Sequence, residues 1–535
     1  MRRREFIRLA AAAGATTITA PITAPVRAQT SPDRVLRFVP STSLVSLDPV
    51  FSTALVAVQH GYHVFDTLYG VDGRLLPKPQ MAEGHAVSDD GRTWTIRLRE
   101  GLRFHDGSPV RAADCGASLE RWSKRDAFGK LVAAAVDRYE STDDRTLTVR
   151  LKAPFPRLLD AIGKPHSSPA FIMPEHLART PATTAITEIV GSGPYRFLPG
   201  EFDPGAIVAY AKFDGYVPRA EPPDWTSGGK VAMFDRIEWR IIADKTTAIA
   251  ALQRGEVDWI ENVPADLLPL LHGSREVKVV NADPLGTIPY LRFNHATAPF
   301  NNPKLRRLVA ELIPQSDYLA VVSGDGDDAR ECRAMFPCTL PGTEETARSI
   351  IGHLVGQPAD TVAAALKATG YAGERVVVLN PADSSDISPL SQVTADLLKR
   401  AGLNVDLQDM DWGTLLQRRL SRAPSDQQGG WSIYHSTWPS IGIATPVLNT
   451  TIRGEGATGW PGWYESAEME AQVAAWMSAT DAAEMQRRAA AIDALAVRDM
   501  PSIPLGTYFP KTAYRTSLGG VLGGSVRYPW NVRRL

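Results

Sequence analysis

Residues 375–407 constrain the fold of this chain more than any other stretch. Arg375-Val376-Val377-Val378-Leu379 is a continuous apolar run rather than an alternating one, so the strand it predicts is buried on both faces. A helix follows, closing with Lys399-Arg400 and Gly402, and residues 403–407 read as the next strand. Strand, helix and strand in that order need a crossover, and therefore a parallel pair covered by helices. Elsewhere the period changes. Residues 93–98 and 147–151 alternate apolar and polar side chains, as half-buried antiparallel strands do, with a helix expected over 112–122 between them. At 535 residues the chain is too long for one hydrophobic core, so the two patterns belong to more than one domain.

The remaining segments give an α/β order. Residues 35–39 and 237–241 read as strands, and a helix over 246–254 stops at Gly255. Asn302-Pro303 supplies a helix cap and a first-turn proline, and Leu305, Leu308, Val309, Leu312 and Ile313 mark one apolar face. A final long helix begins at Asp481…Glu484, turns Met485, Ala489, Ile492 and Ala496 inward, and is stopped by Pro501 and Pro504. The Pro/Gly-rich stretch 216–229 reads as a long surface loop.

The first 28 residues form an address. Arg2-Arg3-Arg4 is followed by a short apolar run from Leu9 to Ala15, and Val26-Arg27-Ala28 offers a small-residue cleavage site. Arg3-Arg4-Glu5-Phe6-Ile7 fits the twin-arginine export pattern, and the apolar run is too short to span a bilayer. Cleavage near Ala28 removes five arginines and one glutamate from a precursor with 58 basic and 59 acidic residues. The exported chain then has 53 basic and 58 acidic residues, a net charge of −5. The expectation is a free, soluble, periplasmic protein. That compartment permits disulfides, and Cys332 and Cys338, separated by five residues with Pro337 favouring a turn, are expected to form a local one. Cys115 is expected to lie buried on a helix as a spare thiol.

Several chemistries are disfavoured. A near-balanced charge does not suit a bulk nucleic-acid binder. Gly454-Glu455-Gly456-Ala457-Thr458-Gly459 has dinucleotide-motif spacing, but Trp460-Pro461-Gly462 follows where a helix should begin, so a flexible loop is expected. His60-Gly61-Tyr62-His63 lacks a third metal ligand and reads as two partly exposed helix residues. The acidic run 325–328 lacks the ligand ladder of a calcium loop. With no nucleophile elbow and no H-E-x-x-H helix, no catalytic residue, cofactor or metal is assigned.

One block is specific. Ser88-Asp89-Asp90-Gly91 leads to Ile96-Arg97-Leu98-Arg99-Glu100-Gly101-Leu102-Arg103-Phe104-His105-Asp106-Gly107-Ser108-Pro109-Val110-Arg111-Ala112-Ala113-Asp114. It resembles the signature of the family 5 extracellular solute-binding proteins, the peptide-, nickel- and opine-type receptors of ABC importers. Further family-like blocks follow in order: Gly191-Ser192-Gly193-Pro194-Tyr195-Arg196-Phe197, Leu252-Gln253-Arg254-Gly255-Glu256-Val257-Asp258, and Phe293-Asn294 through Pro299-Phe300-Asn301-Asn302 to Leu305-Arg306-Arg307. The resemblance covers about residues 34–530. Within the first block Asp114 reads as structural, and the glycines at 191 and 193 as positions whose backbone conformation other residues cannot adopt.

The resemblance implies an α/β, two-lobed fold of the type II periplasmic-binding-protein kind, with an extra inserted domain and hinge closure around a ligand. The boundaries expected are 30–75, 186–294 and 505–535 for domain I, 76–185 for the insertion, and 295–504 for the C-terminal lobe. It implies a monomer that passes a small-molecule or peptide-like solute to an ABC permease complex in the inner membrane. A ligand-presenting sensory receptor is the first alternative and an exported cofactor-dependent enzyme the second. In peptide-binding members a W-x-x-D-x-x-D-P-like loop supplies an aspartate for the peptide's α-amino group. The corresponding stretch here, Tyr434 to Pro446, keeps a tryptophan and a proline but contains no carboxylate. A buried ammonium without an anionic partner is costly. The expected solute therefore lacks a free α-amino group or is anchored differently, with Trp438 stacking on it and Tyr434 and His435 hydrogen-bonding. Trp412 and Tyr290 are weaker candidates.

Overall fold

A computed structural model describes residues 32–52, 54–324, 328–340 and 349–535. The expected export segment and its cleavage site lie outside these residues, as does most of the acidic run at 325–328. Among the described residues no helix is long and apolar enough to cross a membrane.

Three sheets organise the chain. The first runs Tyr195–Phe197, Ile207–Lys212, Arg236–Arg240, Val35–Val39, Trp259–Val263, Lys511–Arg515, Val277–Asn281. Its centre is Val35–Val39, parallel to both neighbours. It draws strands from the start, middle and end of the chain. The second sheet runs Ala329–Arg330, Thr507–Tyr508, Thr287–Phe293, Ile433–Pro439, Val376–Pro381, Val405–Met410, with Ser502–Pro504 also on Thr287–Phe293. The parallel unit is present: Val376–Pro381 pairs in parallel with Val405–Met410 across the helix Ser388–Arg400. The third sheet is antiparallel, in the order Ala82–Val87, Thr93–Leu98, Thr146–Leu151, Val136–Asp143, covered by the helix Ala112–Ser123.

Sheet membership moves two expected boundaries. Thr287–Phe293 belongs to the second sheet, so the chain leaves the first sheet at Asn281, ahead of 294. Thr507–Tyr508 is also in the second sheet, and the return to the first comes at Lys511 rather than 505. The crossovers are therefore the short segments 281–287 and 508–511.

Local signals act as their chemistry requires. Asp114 accepts the Arg111 N–H at 2.7 Å and the Glu175 N–H at 2.8 Å, capping its helix and fixing the next segment. Asn302 and Asp481 cap the helices Pro303–Leu312 and Ala482–Asp499. Gly191 differs in its reason from the expectation: a Cβ there would lie 2.0 Å from the Val64 carbonyl oxygen, so the constraint is close backbone approach rather than conformation. The stretch 216–229 is only half surface. Its second part is buried, because Lys230 just beyond it pairs at 2.7 Å with Asp66, both side chains 1% exposed. Apolar side chains of the third sheet's unit and of the second sheet's lobe form one continuous buried cluster.

Candidate functional site

Antiparallel register decides which side chains of the second sheet share a face. Ile288 pairs with Trp438, Tyr290 with Ser436 and Arg292 with Tyr434, so these six lie on one side. Leu291 pairs with His435 and lies on the other. Tyr290 is fully buried, its hydroxyl donating to the Met335 carbonyl at 3.4 Å, and it packs with Ile288 and Ile443 beneath Trp438. Tyr434 is fully buried, donates to the Pro461 carbonyl at 3.2 Å, and lies edge-on to Trp431 and Trp460. Trp412, half-buried at the start of its helix, joins the same aromatic cluster.

His435 is committed elsewhere. It is fully buried, with Nδ1 3.1 Å from the Ser391 hydroxyl and Nε2 2.9 Å from the Thr394 hydroxyl. Burial pushes its pKa down to about 3, so the ring is neutral. Contact with a solute would require giving up one of these bonds. Trp438 is different: it is half-buried, meets Trp460 edge-on at 6.1 Å, and its indole N–H, shielded from solvent, has no hydrogen-bond partner among the described residues.

The inserted unit reaches this point. A Cβ added at Gly442 would stand 2.9 Å from His166 Nδ1 and 3.5 Å from Trp438 Cε3, so the absence of a side chain lets His166 close on the second lobe. The loop carrying His166 is held from behind. Lys164 Nζ donates to the His166 carbonyl at 2.9 Å, the Ser168 carbonyl at 3.0 Å and the Ser167 carbonyl, and pairs with Asp126 at 2.8 Å. Trp122 Nε1 donates to the Ser168 carbonyl at 2.7 Å, and Tyr62 from the first lobe donates to the Pro165 carbonyl at 3.0 Å. So fixed, Ser167 and Ser168 adopt φ of 54° and 56°. His166 is buried, and desolvation with the adjacent Lys164 ammonium lowers its pKa to about 4.

Two other features lie between the lobes. A cavity of about 240 Å³ flanks the crossover 508–511, with Asp266, Asp386, Asp328 and Lys511 on its walls and none of the expected aromatic side chains. The Lys511–Asp328 ion pair occupies its charges in part. At the other crossover Asp283 is buried; one carboxylate oxygen accepts the Leu285 N–H at 2.9 Å and the other has no hydrogen-bond partner among the described residues, with the Arg527 guanidinium acting on the pair. Burial raises its pKa to about 6.

Cys332 and Cys338 are joined in a disulfide, and Cys115 is a buried free thiol on the helix Ala112–Ser123. His60 and His63 are buried rather than partly exposed, bound at Nδ1 to the Tyr210 hydroxyl and the Gln59 carbonyl respectively. Gly456–Thr458 is a short 3-10 turn rather than a loop without structure. The sequence reading missed His166, an isolated polar residue in an unremarkable local setting that only its contact with the second lobe at Gly442 distinguishes.

Two mixed α/β lobes joined by two short crossovers, with an aromatic platform facing an inserted unit, define a binding protein of the two-lobed kind. Residues 77–452 match the bacterial extracellular solute-binding proteins, family 5, and the chain belongs to that family. A probable peptide ABC transporter periplasmic-binding protein of Sinorhizobium fredii is 34% identical over 536 residues, covering 99% of each chain. The glutathione-binding protein of Escherichia coli K12 is 26% identical over 90% of each. In fold, the chain is similar to the periplasmic binding protein DppA of Helicobacter pylori in complex with the peptide STSA. That likeness has a TM-score of 0.77, with 21% identity over 94% of this chain and 98% of that one.

Proposed function

We propose that this protein is the exported receptor of an ABC importer, enclosing a peptide-like solute that lacks a free α-amino group and presenting it to a membrane permease. The observation that carries this is Trp438: a half-buried indole with an unpartnered N–H, at the head of a stretch that runs to Pro446 without a carboxylate. An aromatic face supplies stacking area, and an indole N–H needs an acceptor, which an amide carbonyl provides. An ammonium buried there would find no charge partner in that stretch and would lose several kcal/mol. The relatives named for peptides and for glutathione keep the solute in the peptide-like range.

The rest of the reading follows the family. Domain I is assembled from three chain segments, residues 76–185 form the insertion, and the C-terminal lobe follows. The protein works as a monomer and reaches the periplasm through a twin-arginine signal cleaved near Ala28. Calorimetric titration with di- and tripeptides and their N-acetylated counterparts tests the solute class. Acetylated peptides are expected to bind more tightly; tight binding by many free-amine peptides refutes it.

A further inference from the structure

The loop 165–168 is built at a cost. Two successive serines stand in the left-handed conformation, and such strain persists only where the surroundings over-determine it. Here a buried ammonium gathers three successive carbonyls of the loop, while an indole and a tyrosine hydroxyl hold its two ends. What this framework presents to the second lobe is the His166 imidazole, buried, with Nδ1 lacking a hydrogen-bond partner among the described residues. On the second lobe, Trp438 also borders Gly442, through Cε3, and its N–H is shielded and without a hydrogen-bond partner among the described residues. An unmade bond at a buried polar atom is expensive, and two of them on side chains that border the same glycine call for a group that completes them. Gly442 is the position that allows the approach.

We propose that residues 165–168 of the inserted unit form a third wall of the solute site, and that His166 is its specificity-determining residue, hydrogen-bonding through Nδ1 to a polar group of the solute. The indole N–H only donates, so the group beside Trp438 is an oxygen acceptor; the neutral imidazole then takes an amide N–H or hydroxyl, or donates to a second oxygen. An acylated amide offers both kinds of partner. The inference rests on Trp438 being the solute platform, as set out above.

The test is calorimetry of the full chain and its H166F and H166N variants with N-acetylated and free-amine di- and tripeptides. H166F fills the position without a hydrogen-bonding atom and is expected to weaken the best-bound peptides by about 5- to 100-fold. H166N, which places a polar atom near Nδ1, is expected to restore most of that loss. Unchanged affinities and ranking in H166F overturn the inference while leaving the solute class standing. If free-amine peptides bind best but lose affinity in H166F, the solute class falls and the role of His166 stands. If H166F does not fold, H166A is read by the same criteria.

Discussion

Replacing Lys164 by methionine removes an ammonium that is 2% exposed and keeps a side chain of similar length. The Asp126 carboxylate, 3% exposed at 2.8 Å, and the carbonyls of His166 and Ser167 lose this partner, while the Ser168 carbonyl loses one of two and keeps the Trp122 indole. Asp126 retains only the bond it accepts from the Gly129 N–H at 2.8 Å, as cap of the helix Ala127–Ala135. Stranding one member of a buried pair costs about 3–5 kcal/mol, more than the pair itself contributes relative to an apolar replacement. K164M is therefore expected to lose about 3–5 kcal/mol in urea unfolding followed by tryptophan fluorescence and circular dichroism. Adding D126N removes the stranded charge and is expected to recover about 2 kcal/mol. Solute affinity is expected to fall in both variants, because Ser167 and Ser168 are free to relax and His166 is no longer presented. A K164M cost below about 1 kcal/mol, or simple additivity in the double variant, would refute the reasoning.

Acid stability gives a second check. His60, His63 and His435 have folded pKa values lowered to about 3 by burial, so above about pH 6.5 both folded and unfolded rings are neutral. As the pH falls from about 6.5 towards 3, the unfolded chain takes up protons that the folded chain refuses, and stability is lost. H435Q is expected to flatten the fall between pH 6 and 4 by up to about 1.4 kcal/mol per pH unit, seen in urea midpoints; an unchanged slope would exclude His435 as a contributor. The bridge at Cys332–Cys338 closes a short loop, and the paired alanine variant is expected to lose about 2 kcal/mol on chain-entropy grounds. Unfolding with and without reductant measures it, and a wild type indifferent to reductant would show that the bridge does not contribute. Gln315, which bonds both the N–H and the carbonyl of Cys332 at 2.8 Å, holds the segment in place in either case.

The elements were legible where one signal sufficed. The apolar run at 376–379, the capping residues Asn302 and Asp481 and the terminator Gly255 all act through neighbours within a few positions. The strand expected at 403–407 forms at Val405–Met410, because Gly402 first completes the helix exit and Leu403 bonds back to the Leu398 carbonyl. Burial of 225–230 was not legible, since it depends on Asp66, more than 150 positions away. In the site, alternation alone separates His435 from Tyr434 and Trp438. Which face meets the core depends on Ser391 and Thr394, on a helix that the local sequence of the strand does not reveal.

The same argument explains why the inserted unit matters to a site that aromatic residues of the second lobe first suggest. A two-lobed receptor gains selectivity by making closure depend on what is enclosed. Here the closing surface includes a loop tied by Tyr62 to the first lobe, by Lys164 and Trp122 to the inserted unit, and in contact through Gly442 with the second. A change in any one unit's position is felt at His166. On the proposed reading, a solute that satisfies the unpartnered atoms of His166 and Trp438 would stabilise the closed arrangement by the bonds it completes, whereas one that merely fills space would leave both unmade and gain only contact area. Selection by hydrogen-bond completion discriminates solutes more sharply than stacking alone, because a missing partner costs a buried polar atom and a missing methylene costs only contact area.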